Sequence, residues 1–150
     1  MTARPRRRAT WSGLLVLVAV LAGCASPAGF ASDAGRTAQD GLSQVRTSLI
    51  AMRTGLAGDL PDGYLVTVLE DAEDALSSTQ ESFRSQEPPA DAGSDRLRAE
   101  LGDLLTRGTE GVARARIAAE RGDRQQVAAV GTDLDAVADA LERFEKEHQS

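Results

Sequence analysis

The sequence predicts an all-α protein, an antiparallel up-down four-helix bundle, and three observations point there. Aromatic residues make up only 3% of the chain and β-branched ones are sparse, while Ala, Leu, Arg, Asp and Glu dominate. That balance favours helix over strand. Beyond residue 32, Gly and Pro cluster into three breaks that leave four segments of similar length. Each segment carries apolar residues at alternating steps of three and four, the narrow 3.5-residue seam of left-handed bundle packing.

The first segment, 33–57, has its seam at Ala38, Leu42, Val45, Leu49, Met52 and Leu56. Gly58-Asp59-Leu60-Pro61-Asp62-Gly63 ends it, and Pro61 suits the first turn of the next helix. The second segment, 62–86, has Leu65, Leu69, Ala72, Leu76, Thr79 and Phe83 in line, with Val68 and Ala75 beside them. Glu87-Pro88-Pro89-Ala90-Asp91-Ala92-Gly93 is the strongest break. The third segment, 94–121, runs through Leu97, Leu101, Leu104, Leu105, Gly108, Val112, Ala115 and Ala119. Gly122 closes it, and Asp123 followed by Gln126 resembles a capping box that opens the fourth, 123–147. Val127, Val130, Leu134, Val137, Leu141 and Phe144 form that last seam. Helices of this length are about 37 Å long. Matched lengths and short links imply antiparallel neighbours.

Two features disturb the pattern. The third segment contains Gly102, Gly108 and Gly111, each costing about 1 kcal/mol relative to Ala inside a helix. Gly108 lies on the seam, which is consistent with a close helix crossing or with a break near residues 107–111. Ile117 falls nearly opposite its own seam, as an exposed residue or a partner contact.

The N-terminal residues have the parts of an export signal. Arg4, Arg6, Arg7 and Arg8 form a positive start, and Leu14-Leu15-Val16-Leu17-Val18-Ala19-Val20-Leu21 an apolar run. Small residues then precede Cys24. The quartet Leu21-Ala22-Gly23-Cys24 closely resembles the lipobox of bacterial lipoproteins. The resemblance implies that residues 1–23 are a cleaved signal peptide. It also implies that the sulfur of Cys24, the first mature residue, carries a diacylglyceryl group. An uncleaved membrane helix and a freely secreted chain are the rival readings. The apolar run of about 10 residues falls short of the roughly 20 that span a bilayer, and the residues after the arginine pair fit a twin-arginine route poorly. Residues 24–32, small and turn-forming, read as the lipidated cysteine and a flexible tether, with the bundle domain over 33–150. The layout also resembles the small Ala- and Arg-rich helical lipoproteins of actinobacteria, a likeness that implies a location and no activity. No Asp follows Cys24, so the inner-membrane retention signal of two-membrane bacteria is missing.

Charge narrows the partners. No acid precedes Asp33, so removing residues 1–23 leaves 13 basic and 23 acidic residues, a net charge of −10. Such a surface repels phosphate backbones, and no nucleic acid is expected as a partner. A single cysteine excludes an internal disulfide.

The candidate chemistry is thin. Glu70-Asp71-Glu73-Asp74 could offer oxygens to Ca²⁺ or Mg²⁺, but the group points away from the seam and reads as a solvated face. Glu145 and His148 make one Glu-x-x-His, whereas a di-iron bundle needs two such pairs and two further glutamates. His148, two residues from the end, reads as a frayed surface histidine. Thr79, polar on the seam, is expected to bond the carbonyl one turn back. No nucleophile motif or phosphate loop occurs, so no enzyme, metal or cofactor is expected. The expected function is a lipid-anchored, extracytoplasmic, non-catalytic interaction or scaffold module with an envelope protein as partner. The alternative is binding of a cation or a small apolar ligand, in a cavity left by Ala72, Gly108, Ala115 and Ala119.

Overall fold

The computed structural model describes residues 26–149, so the export signal and Cys24 lie outside the described residues. Four helices follow one another: α1 Pro27–Ala57, α2 Asp62–Ser85, α3 Ala92–Glu120 and α4 Arg124–His148. No strand occurs among the described residues.

The tether assigned to residues 24–32 needs correction, because α1 starts at Pro27 and the bundle begins there instead of at residue 33. The cause is local. Ser26 is extended, with φ −80° and ψ 146°, and its Oγ accepts from the Gly29 N–H at 3.1 Å. That cap, with Pro27 pre-set at the first helical position, starts the helix. Phe30 then fixes it, buried and stacked against Phe83 with ring centroids 6.1 Å apart. Phe30, Ala34 and Ala38 extend the seam backwards in steps of four.

The remaining ends are set by single residues. Gly58, at φ 86°, and Gly122, at φ 68°, take the left-handed conformation that closes α1 and follows α3. Asp91 caps α3 through the N–H groups of Gly93 and Ser94, both at 2.9 Å. Asp123 caps α4, accepting from Gln126 N–H at 2.9 Å.

The helices alternate up and down, as contacts at both ends fix. Phe30 near the start of α1 meets Phe83 near the end of α2. At the far end Gly55 of α1 lies against Leu65 of α2, and Arg124 of α4 reaches the last carbonyls of α1. α1 packs against α2, α4 and, across the diagonal, α3; α2 and α4 do not meet among the described residues. α1 and α3 therefore form the short diagonal of the bundle.

The close approach of α1 to its neighbours has a sequence cause. Ala34, Gly41, Ser48 and Gly55 recur every seven residues and are all buried. A Cβ on Gly41 would lie 2.7 Å from Leu105 Cδ2, and one on Gly55 2.9 Å from Leu65 Cδ2. Leucines of the neighbouring helices thus sit over glycines. α3 repeats the device, since a Cβ on Gly111 would come 2.6 Å from Leu134 Cδ2. The backbones approach closely there, and α3 runs unbroken through residues 107–111. The break is ruled out, and the close approach falls at Gly111 and not at Gly108, where a Cβ would meet Val45 at an ordinary contact distance of 3.4 Å.

Every expected seam residue of α4 is buried, and so are Leu65, Leu69, Ala72, Leu76 and Phe83 of α2. The core is almost wholly apolar; its buried polar residues are Ser48, Gln80 and Ser94. Leu97 and Ala119, expected on the α3 seam, are only partly buried, while Gly111 and Ala118 face α4 and are fully covered. A bundle helix wedged between two neighbours needs a second apolar line, which a one-seam reading omits.

Candidate functional site

Cys24, the expected lipidation site, lies outside the described residues, but the chain beyond it constrains where the bundle can sit. Only Ala25 and Ser26 separate Cys24 from Pro27 at the start of α1. Three residues reach at most about 10 Å. The bundle end next to Cys24 is the one formed by the start of α1, the α2–α3 link and the end of α4.

Three phenylalanines are buried at that end: Phe30, Phe83 and Phe144. His148 belongs to the same cluster and corrects the frayed-histidine expectation. It is half-buried in the last turn of α4, stacked on Phe144 with centroids 4.3 Å apart, and its Nδ1 is 2.8 Å from the Phe144 carbonyl. The His148 carbonyl also lies 3.0 Å from where a Gly35 Cβ would be. Packing against α1 holds the terminus that sequence position alone would release. An open cleft of about 500 Å³ adjoins it, lined by Pro27, Ala31, Ser94, Leu97, Glu100 and His148 among others.

The acidic group on α2 divides. Glu73 accepts from Arg116 Nε at 2.8 Å across the α2–α3 interface, and the same guanidinium reaches Glu120 at 2.6 Å. Both partners of the cross-helix pair are 25% exposed. The two carboxylates hold the Arg116 proton more tightly than in a free side chain, Glu73 contributing most. Glu70, Asp71 and Asp74 are exposed and join no ion pair among the described residues. No three His, Cys, Asp or Glu side chains converge to hold a metal among the described residues.

Thr79 bonds the carbonyl of Ala75 at 2.9 Å, one turn back as expected. The more buried polar residue is its neighbour Gln80, whose amide donates to Thr106 of α3. Periodicity missed Gln80 because the seam was drawn through Thr79. Two arginines were also missed. Arg98 donates to the carbonyls of Gln86 and Arg84 at the end of α2, both at 2.6 Å, and Arg124 to those of Gly55 and Leu56 at the end of α1. Each caps the negative end of another helix.

Of the cavity expected beside Ala72, Gly108, Ala115 and Ala119, the part at Gly108 is filled by side chains of Val45, Val137 and Leu76, all within 4 Å of where a Cβ would stand. Open clefts lie on the surface instead. Along the α3–α4 groove one of about 240 Å³ is bounded by Arg107, Glu110, Arg114 and Asp133, and a second of about 210 Å³ by Arg114, Ile117, Ala118, Arg121, Asp123 and Gln126. Ile117 is 37% exposed in that second cleft. Searches against known protein families, curated proteins and solved structures return no match.

Proposed function

We propose that the chain is a lipoprotein held by Cys24 on the extracytoplasmic face of a bacterial cell membrane, where its four-helix bundle serves as a non-catalytic interaction module. The observation that carries the reading is the quartet Leu21-Ala22-Gly23-Cys24 behind an arginine-rich start and an apolar run. A diacylglyceryl group supplies two chains, which hold a protein stably where one chain binds only reversibly. The helical start at Pro27 supports a close seat on the bilayer, because little chain is left between anchor and bundle.

The interior supports a module that works through its surface. Its buried polar groups are two serines and one glutamine, none of which titrates. Catalytic acids and bases need burial or charged neighbours in a cleft to shift their pKa values, and a core of this kind offers no such place among the described residues. Cell fractionation tests the reading. The natural chain is expected in the membrane fraction, released by detergent and not by salt, and Cys24→Ser is expected in the soluble or uncleaved precursor form. Two chains of equal size in the same fraction would overturn it.

A further inference from the structure

We infer that lipid transfer to Cys24 and the cleavage before it must be finished before the first two turns of α1 pack, so that folding of the bundle closes the processing site. The inference rests on the lipoprotein reading proposed above and adds the order of its steps. Both reactions take place at the bilayer. The Cys24 sulfur bonds to the glyceryl carbon of a phospholipid, the carbon–oxygen bond to the phosphate breaks, and the thiol proton leaves with the phosphate. Water then splits the peptide bond between Gly23 and Cys24. Enzymes that act there must close around the residues on both sides of Cys24, and folding takes up those that follow it.

One residue separates Cys24 from the helix cap. Ser26 is committed to α1: its Oγ accepts from the Gly29 N–H at 3.1 Å and its carbonyl from the Phe30 N–H at 3.0 Å. Pro27 holds the first helical position. Ala25 alone lies between this cap and Cys24. The start of α1 is then fastened on two sides. Phe30 is 7% exposed and stacks on Phe83 of α2. Gly35 lies against the last turn of α4, where a Cβ would stand 3.0 Å from the His148 carbonyl oxygen. Ala34 and Ala38 are fully covered. The first turns of α1 cannot leave the bundle without breaking the Ser26 cap and exposing Phe30.

Reach decides the order. The steps from Cys24 to Pro27 span at most about 10 Å, whereas the bundle end is two helix diameters, or about 20 Å, across. As long as the apolar run of the leader stays in the bilayer, the packed bundle stands about 10 Å over Cys24. An enzyme that rises further than that above the thiol meets the bundle end. Releasing residues 27–33 would add about 23 Å of extended chain, enough to clear it. An unfolded chain offers that length freely, and a folded one offers it only by local opening of α1.

Two full-length precursors test the order, the natural chain and one with about six Gly and Ser residues inserted between Ala25 and Ser26, which lengthens the tether by about 20 Å. The insertion lies before α1, so both should unfold at the same midpoint by helical circular dichroism. Each is folded in mild detergent and mixed with bacterial membranes, which supply the enzymes and phospholipid, and its conversion is followed by intact mass. The folded long-tether chain is expected to convert several-fold faster than the folded natural one. Unfolded in urea and diluted directly into the membranes, the two are expected to convert alike. Phe30→Ala with the natural tether should recover part of the lost rate, because it loosens the same two turns. Equal conversion of the two folded chains overturns the inference and leaves the anchor standing. Lipidation of neither chain removes the anchor, and this order with it.

Discussion

Alanine at Gly102 and alanine at Gly111 should move the stability of this bundle in opposite directions, although both replace a glycine inside the same helix. In an exposed helix interior Gly→Ala is worth about 1 kcal/mol, from lower backbone entropy in the unfolded chain and a better helix former in the folded one. A Cβ at Gly102 meets nothing within 4 Å, so that gain should appear undiminished. At Gly111 the new Cβ would lie 2.6 Å from Leu134 Cδ2 and 3.2 Å from Cγ. The second distance matters most. Rotating a methyl group cannot clear Cγ, so Leu134, which is fully buried, must move with its helix. Overpacking of this kind costs about 1–3 kcal/mol, which outweighs the helix gain and leaves a net loss of about 1 kcal/mol. For a domain of this size 1 kcal/mol is about 3–5 °C. Thermal unfolding followed by helical circular dichroism should raise the midpoint for Gly102→Ala and lower it for Gly111→Ala. A shift of both in the same direction would refute the packing of α3 against α4.

Phe30→Ala should cost about 3 kcal/mol if residues 27–32 are helix packed on Phe83, whereas in a free tether it would change stability by less than about 0.5 kcal/mol; urea unfolding separates these. Arg124→Ala and Arg98→Ala should each cost about 1 kcal/mol by uncapping helix ends, and Arg143→Ala, exposed and outside the described ion pairs, should cost little in the same assay. Two carboxylates are held below their ordinary range, Asp91 chiefly by the Ser94 hydroxyl and Glu142 chiefly by Lys146 with help from Arg46. A lowered folded pKa means that their contribution is complete above the unfolded value of about 4 and is lost as pH falls below it. The unfolding midpoint should therefore drop as pH falls below about 4, and less steeply in Asp91→Asn; an identical acid profile would contradict the assignment.

Much of the bundle was legible from spacing. The seams of α2 and α4 are simple lines because each of those helices is flanked by two neighbours and does not reach across the diagonal. α1 and α3 are harder, since they touch across the short diagonal and bury glycines that look like helix breakers. Gly41, Gly55 and Gly111 are where leucines insert, and their meaning exists only once the opposing helix is in place. Phe30 was the overlooked signal at the N-terminus, four residues before Ala34 and eight before Ala38. His148 could not be placed from its position near the end, because the seat of its carbonyl against Gly35 of α1 comes from tertiary packing, although the Phe144 ring and carbonyl lie one turn back on its own helix. For the site, the arginine pairs at short spacing, such as Arg116 with Glu120, can be read on one helix. The Glu73 pairing and the carbonyl caps by Arg98 and Arg124 join different helices and need the fold.

Mass spectrometry of the intact protein extracted from bacterial membranes examines the attachment most directly. The expected species begins at Cys24 and carries the added mass of a diacylglyceryl group on that residue. A chain with an unmodified Cys24 thiol, or one that retains residues 1–23, contradicts it.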